Sequence, residues 1–263
     1  MLFRSDYGTE GNGLDAIDDN EINIENLPVK GLYQPDQIAA FEQGGETYYV
    51  SANEGDDRDF DVAEAGEANL SPEARKSVES NGLGELEISN IDGDTDGDGA
   101  IEELVSFGGR SFAIWDSEGN RVFDSGSQFA EIQAQVIPSG FNSDDEENDA
   151  DSESDEAGPE VEGITLGEID GTMHAFIGLE KPGGVMVYDV STPSDAQFVD
   201  YLNNRNFGVE LQNPDGTPNT AAGDSGPEGL AFIPAEDSPL PETPMLAVGN
   251  EISGSVTLWE FGG

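Results

Sequence analysis

One pattern occurs three times in this chain: an acidic residue opening a short apolar strand, a hairpin, and a second strand that ends in Glu. The copies run from Pro35-Asp36-Gln37-Ile38 to Ala52-Asn53-Glu54, from Val161-Glu162-Gly163-Ile164 to Gly178-Leu179-Glu180, and from Pro227-Glu228-Gly229-Leu230 to Gly249-Asn250-Glu251. The paired acids stand eighteen residues apart in the first two copies (36 to 54, 162 to 180) and twenty-three apart in the third (228 to 251), where the Pro-rich stretch 234–244 lengthens the turn. Such spacing closes a two-stranded hairpin. The start of one antiparallel strand lies beside the end of the next, so each copy sets two carboxylates at the same end of its sheet. Side by side they repel, and hard carboxylate oxygens select calcium or magnesium as the neutralising cation. The plainer reading makes them solvated strand-end acids.

Basic residues cannot fill that role widely. Fifty-seven acids against nine bases give a formal net charge of −48, and the lysines are Lys30, Lys76 and Lys181 alone. No basic surface is available for nucleic acid or an anionic membrane. An acid excess spread along the whole chain suits concentrated salt, where screening is short-ranged, and predicts a halophilic setting. The hydrophobic fraction of 35% and the 34 glycines fit a folded chain, and 263 residues are enough for a sizeable core. Absence of cysteine removes disulfides, thiolate nucleophiles and zinc–thiolate sites. No apolar run is long enough to span a bilayer, and the first residues do not read as a signal peptide.

Residues 1–30 read as an acidic lead-in with one strand candidate at 22–24, and residues 31–263 as a partial propeller domain with acidic insertions at 56–80 and 142–158. A short helix is expected from Ser71, because Pro72 suits the first helical position. Segments 84–89, 103–107, 111–116 and 121–124 alternate apolar and polar residues and predict a four-stranded meander; 163–168, 172–179, 184–190 and 196–202 predict another. The last unit shows three strands, at 229–233, 245–249 and 255–261. Repeated four-stranded units predict an all-β chain, a β-propeller with about four recognisable blades, with a β-sandwich as runner-up. The short last unit raises the expectation of a C-terminal part of a longer, seven-bladed-type propeller.

The sharpest local motif is Asp92-Gly93-Asp94-Thr95-Asp96-Gly97-Asp98-Gly99-Ala100-Ile101-Glu102-Glu103. Acids at positions one, three and five, Gly at six and Glu at twelve match the calcium-loop template. Position eight is Gly99 instead of an aliphatic residue and the flanks read as strands, so a calcium loop inserted in β-structure is expected, with compositional accident as the alternative. The 142–155 stretch offers closely spaced oxygen ligands but no Gly to fix a turn; solvated loop and second ion site both stay open. His174 is the single histidine and sits mid-strand, with no Gly-x-Ser-x-Gly elbow to make a triad. Arg58, Arg110 and Arg205 read first as ion-pair partners of the acids, and second as anion ligands.

Several stretches together resemble the choice-of-anchor I family: Tyr33-Gln34-Pro35-Asp36, Ala52-Asn53-Glu54-Gly55-Asp56, Phe107-Gly108-Gly109-Arg110-Ser111-Phe112-Ala113-Ile114-Trp115, Gly158-Pro159-Glu160-Val161-Glu162-Gly163, Gly184-Val185-Met186-Val187-Tyr188-Asp189 and Gly226-Pro227-Glu228-Gly229-Leu230. The resemblance implies a YVTN/WD40-like propeller, exported and held at the cell surface, in a group that includes atypical alkaline phosphatases and mesenchyme-specific cell-surface glycoproteins. Where members often read Arg-Ser-Asp-Asp-Lys, this chain has Glu153-Ser154-Asp155-Glu156-Ala157, which removes two bases that would meet an anionic substrate. The expectation is an extracellular or cell-surface module that binds calcium, or magnesium, and cell-envelope or extracellular ligands. Its ligands would be Asp92, Asp94, Asp96, Asp98 and Glu103 in the loop, and Asp36, Glu54, Glu162, Glu180, Glu228 and Glu251 in the repeats. The alternative is a calcium-dependent, alkaline phosphatase-like phosphomonoesterase using the repeat acids; no catalytic residue can be assigned from sequence.

Overall fold

The computed structural model describes residues 4–57 and 60–262. In chain order the first half contains β1 (Arg4–Asp6), β2 (Val29–Leu32), β3 (Pro35–Gln43), β4 (Glu46–Asn53), β5 (Val62–Glu64), α1 (Pro72–Asn81), β6 (Glu87–Ser89), β7 (Leu104–Ser106), β8 (Ser111–Trp115), β9 (Arg121–Asp124) and α2 (Gln128–Val136). The second half contains β10 (Val161–Ile169), β11 (Thr172–Leu179), β12 (Val185–Asp189), β13 (Gln197–Leu202), β14 (Pro227–Ile233), β15 (Met245–Asn250) and β16 (Ser255–Glu260). The chain is all-β, built of antiparallel sheets of order β3-β4-β8-β9, β10-β11-β12-β13 and β14-β15-β16, with β1-β2-β7 and β5-β6 forming a smaller lobe. No sheet closes on itself among the described residues.

Turn chemistry sets the hairpins. Gly44-Gly45 joins β3 to β4 with φ of 63° and 86°, and Asp170-Gly171 joins β10 to β11 with φ of 52° and 81°. Positive φ at both central residues is the two-residue turn whose twist matches the strands it connects. The expected helix is α1: the Ser71 hydroxyl accepts from the Ala74 amide, Pro72 starts the first turn, and left-handed Gly82 ends the last. Its Ala74 and Val78, four residues apart, bury one face.

Packing places the three main sheets one behind another. On β11, Ala175, Ile177 and Leu179 face the first sheet's Val50, Ala52, Phe112 and Ile114, with Phe129 of α2 closing the side. The intervening Phe176 joins Leu246, Val248 and Phe232 of the third sheet. Period-two alternation therefore buries both faces of the middle sheet along β12 and the second half of β11, while β13 at its edge stays largely exposed. A two-layer sandwich would leave each sheet one wet face, so that runner-up does not describe this stack. A second core, around Tyr7, Leu14, Val29, Leu70, Val78, Leu86 and Leu104, belongs to the small lobe.

The predicted 84–124 meander is not formed. β6 pairs with β5 and β7 runs parallel to β2, while β8 pairs with β4 and β9 with β8. Strands of three residues cannot stabilise a sheet among themselves; they pair where burial takes Ile88, Leu104 and Val105, which is the small lobe. Likewise no strand forms at 22–24; β1 and β2 pair antiparallel, and the segment between them carries the isolated Leu14–Glu25 bridge. The 142–158 segment, open in the sequence between a solvated loop and an ion site, buries about half of its residues, while Glu146, Glu147, Asp149 and Glu156 stay exposed.

Candidate metal centre

Each main sheet begins with the same irregularity. The register shifts between Pro35 and Ile38 on β3, between Val161 and Ile164 on β10, and between Pro227 and Gly229 on β14. A bulge puts an extra residue into the strand and re-aims its side chain. Here that extra stretch holds Asp36, Glu162 and Glu228. Their partners Glu54, Glu180 and Glu251 directly follow the ends of β4, β11 and β15, where Pro35 faces Asn53, Val161 faces Leu179, and Pro227 faces Asn250.

The repeat acids act on one another electrostatically, although no three of their carboxylate oxygens lie within 4.8 Å of one another. Burial pushes the Glu162 carboxyl up to about 9, and Glu180, Glu54, Glu228 and Asp36 all press in the same direction. Burial likewise raises Glu54 to about 7, helped by Asp36, Asp56 and Glu180 and opposed by Lys181. Glu180 is raised by burial first. Glu228 is raised chiefly by its hydrogen-bonding contact with Glu251, with Asp36 adding to it. Glu162 is the innermost, 9% exposed, and its Oε2 has no hydrogen-bond partner. Asp36, Glu228 and Glu251 are exposed at the rim.

The 92–103 loop divides the predicted ligands differently from the template. Carboxylate oxygens of Asp94, Asp96 and Glu102 lie within 4.8 Å of one another, the one such group among the described residues. Asp94 is held by amides of Gly97 (2.7 Å) and Gly99 (2.9 Å), both glycines with positive φ, and Glu102 accepts from the Thr95 amide at 2.8 Å. Asp98 accepts from the Ala100 amide at 2.8 Å. Asp92 instead accepts from the Ser89 hydroxyl at 3.1 Å, with Arg4 at 3.8 Å, and Glu103 meets the same arginine at 3.4 Å. Glu102 is the residue sequence reasoning missed. Adjacent residues near a strand project to opposite faces, so the strand context of Leu104 was the signal that one of the two glutamates must turn away.

The buried arginines do not ion-pair as expected. Arg110 donates to the main-chain oxygens of Asp15 (2.7 Å), Ser154 (2.9 Å) and Glu156 (2.7 Å). Arg205 donates to those of Lys181, Asp144 and Glu147, each at 2.7 Å. A guanidinium fork reaches several carbonyls at once, so the two side chains fix both ends of the 142–158 segment without any ion. Arg58 lies outside the described residues. His174 Nδ1 faces the Thr172 carbonyl at 3.0 Å, as a strand residue with no part in either acid group.

The architecture is all-β, with paired acids repeated at one end of successive sheets. The choice-of-anchor I domain profile matches residues 4–193, and the chain belongs to that family. It is also similar to Gigasin-3a of Magallana gigas, 27% identical over 187 residues, which cover 69% of this chain and 65% of that protein. The chain thus spans about two thirds of the length of that relative. No helix among the described residues is long and apolar enough to cross a membrane.

Proposed function

We propose that this chain is a cell-surface-associated β-propeller module that binds calcium and through it presents a structural or ligand-binding surface. The stacked sheets are its blades. One observation carries the cation reading: the innermost repeat acid, Glu162, keeps a buried oxygen without a partner while acids of all three sheets press on it electrostatically. A buried carboxylate oxygen left unpaired is costly, and a hard cation is the group that satisfies several such oxygens together. The donor set fits, being oxygen only and free of sulfur and imidazole. Glu162 and Glu180 would hold the ion, with Glu54, Asp36, Glu228 and Glu251 neutralised around it, while Asp94, Asp96 and Glu102 form a separate loop site.

Calcium titration of the full chain at fixed molar salt, followed by melting temperature, tests this reading. A rise in the wild type that shrinks in Glu162→Gln supports it; no rise in either sinks it. Phosphate release from a chromogenic ester belongs beside that titration. Calcium-dependent hydrolysis abolished by Glu162→Gln would replace the module with a phosphomonoesterase.

A further inference from the structure

The 142–158 segment folds back on itself as a narrow hairpin. The Asp151 amide donates to the Phe141 carbonyl (2.7 Å) and the Glu153 amide to the Asn142 carbonyl (2.9 Å), while the Asp144 amide donates to the Ser152 hydroxyl (3.1 Å). Residues 142–144 on one arm therefore face residues 151–153 on the other. Among the described residues, the buried side-chain oxygens without a hydrogen-bond partner are Asn142 Oδ1, Ser143 Oγ, Glu153 Oε2 and Glu162 Oε2. Three of these four belong to this one hairpin. Asn142, Ser143 and Glu153 are 1%, 0% and 6% exposed, so water does not satisfy them from bulk.

The carboxyls here also touch one another. Those of Asp144 and Glu153 lie within hydrogen-bonding reach. Lys181 Nζ stands 3.8 Å from Asp144 Oδ2, 3.4 Å from Asp145 Oδ1 and 3.7 Å from Glu160 Oε2. One ammonium cannot balance four acids, and it makes no contact with the free Glu153 oxygen that the structure records. Burial, joined by Glu156, pushes Glu153 up to about 8, which is the response of a carboxyl lacking its counter-charge.

We infer that Asp144 and Glu153, with the Ser143 hydroxyl and the Asn142 amide oxygen, form a binding site for a hard divalent cation, calcium by its chemistry. Two carboxylates, a neutral amide oxygen, a hydroxyl and water make up the mixed oxygen set that calcium accepts. Arg205 and Arg110 hold the two arms chiefly by main-chain oxygens, Arg205 also meeting Asn148 Oδ1 at 3.2 Å, and Asp144 Oδ1 accepts from the Glu146 and Glu147 amides, while the Asn142, Ser143 and Glu153 oxygens stay unused. Asp144 and Lys181, with side chains 27% and 20% exposed, give the route in from solvent. This site shares no ligand with the 92–103 loop or with the repeat acids, although Lys181 acts on Glu54 and Glu180 as well as on Glu153.

Equilibrium dialysis of the full chain against calcium chloride in molar potassium chloride counts the bound ions. Glu153→Gln should lose one equivalent, and Asp94→Asn combined with Asp96→Asn should lose a different one, so that the triple variant loses two. Unchanged stoichiometry and affinity in a folded Glu153→Gln protein would overturn the inference, leaving a pair of carboxyls that only share a proton. Failure of the Asp94/Asp96 arm alone counts against the loop site and not against this one. Should Glu153→Gln not fold, Lys181→Met decides. Removing a positive charge 3.8 Å from a ligand oxygen should tighten this site by about tenfold, and an unaltered affinity overturns the proposal.

Discussion

Glu162 occupies a bulge at the start of β10, and its carboxyl meets acids from the sheets on either side before it meets any base. Its folded-state value of about 9, against 4.5 for an ordinary glutamate, means that the native state holds a proton which the unfolded chain has released. Stability then falls as pH rises between those two values, and Glu54, raised to about 7, adds to the fall over the lower part of the window. In metal-free molar salt the melting temperature should drop from pH 5 to pH 9. Bound calcium replaces the proton and should flatten that profile; a flat metal-free profile would show that the acids are not held together. At the loop, Asp94→Asn and Glu102→Gln should each weaken the calcium-induced rise in melting temperature, while Glu103→Gln, whose carboxylate meets Arg4, should change it little.

At the level of elements, close approach governs the middle sheet. A Cβ added at Gly167 would lie 2.3 Å from the Phe232 ring, so β10 and β14 can pack only because this position has no side chain. Gly167→Val should cost about 1–3 kcal/mol by overpacking, read from the urea midpoint at fixed salt. On α1 the Ser71 cap is an independent probe, and Ser71→Ala should cost about 1 kcal/mol because the Ala74 amide loses its acceptor. The two sites lie in different cores, so their effects should add, and a strong coupling between them would show that the two cores interact energetically.

Over the whole molecule, charge dominates. Forty-eight net negative charges repel across the compact state wherever screening is weak. The Debye length grows from about 3 Å at 1 M salt to about 30 Å at 10 mM, so dialysis from molar to millimolar salt should lower the melting temperature and loosen near-ultraviolet circular dichroism. Equal melting at both concentrations would remove the halophilic reading. The internal arginines blunt this only locally, because Arg110 and Arg205 are engaged by main-chain oxygens.

The hairpins, α1 and the placement of six acids at strand starts and ends were legible in the sequence, since each follows from local rules: Gly-Gly and Asp-Gly turns, a Ser-Pro helix start, and a repeat whose spacing closes a hairpin. The choice of partner strand was not. β8 joins β4, and β7 joins β2, because burial of Phe112 and Val105 against distant surfaces outweighs nearness along the chain. The same holds at the sites. Sequence put the pairs Asp36/Glu54, Glu162/Glu180 and Glu228/Glu251 each on one sheet, but their meeting depends on how the sheets stack. For the acidic 142–158 stretch the sequence left a solvated loop and an ion site both open; two buried arginines and a lysine, from residues 110, 205 and 181, fold part of it inward. Local chemistry sets what each segment is able to form; long-range burial, which costs chain entropy until core packing offsets it, decides which of those forms coexist.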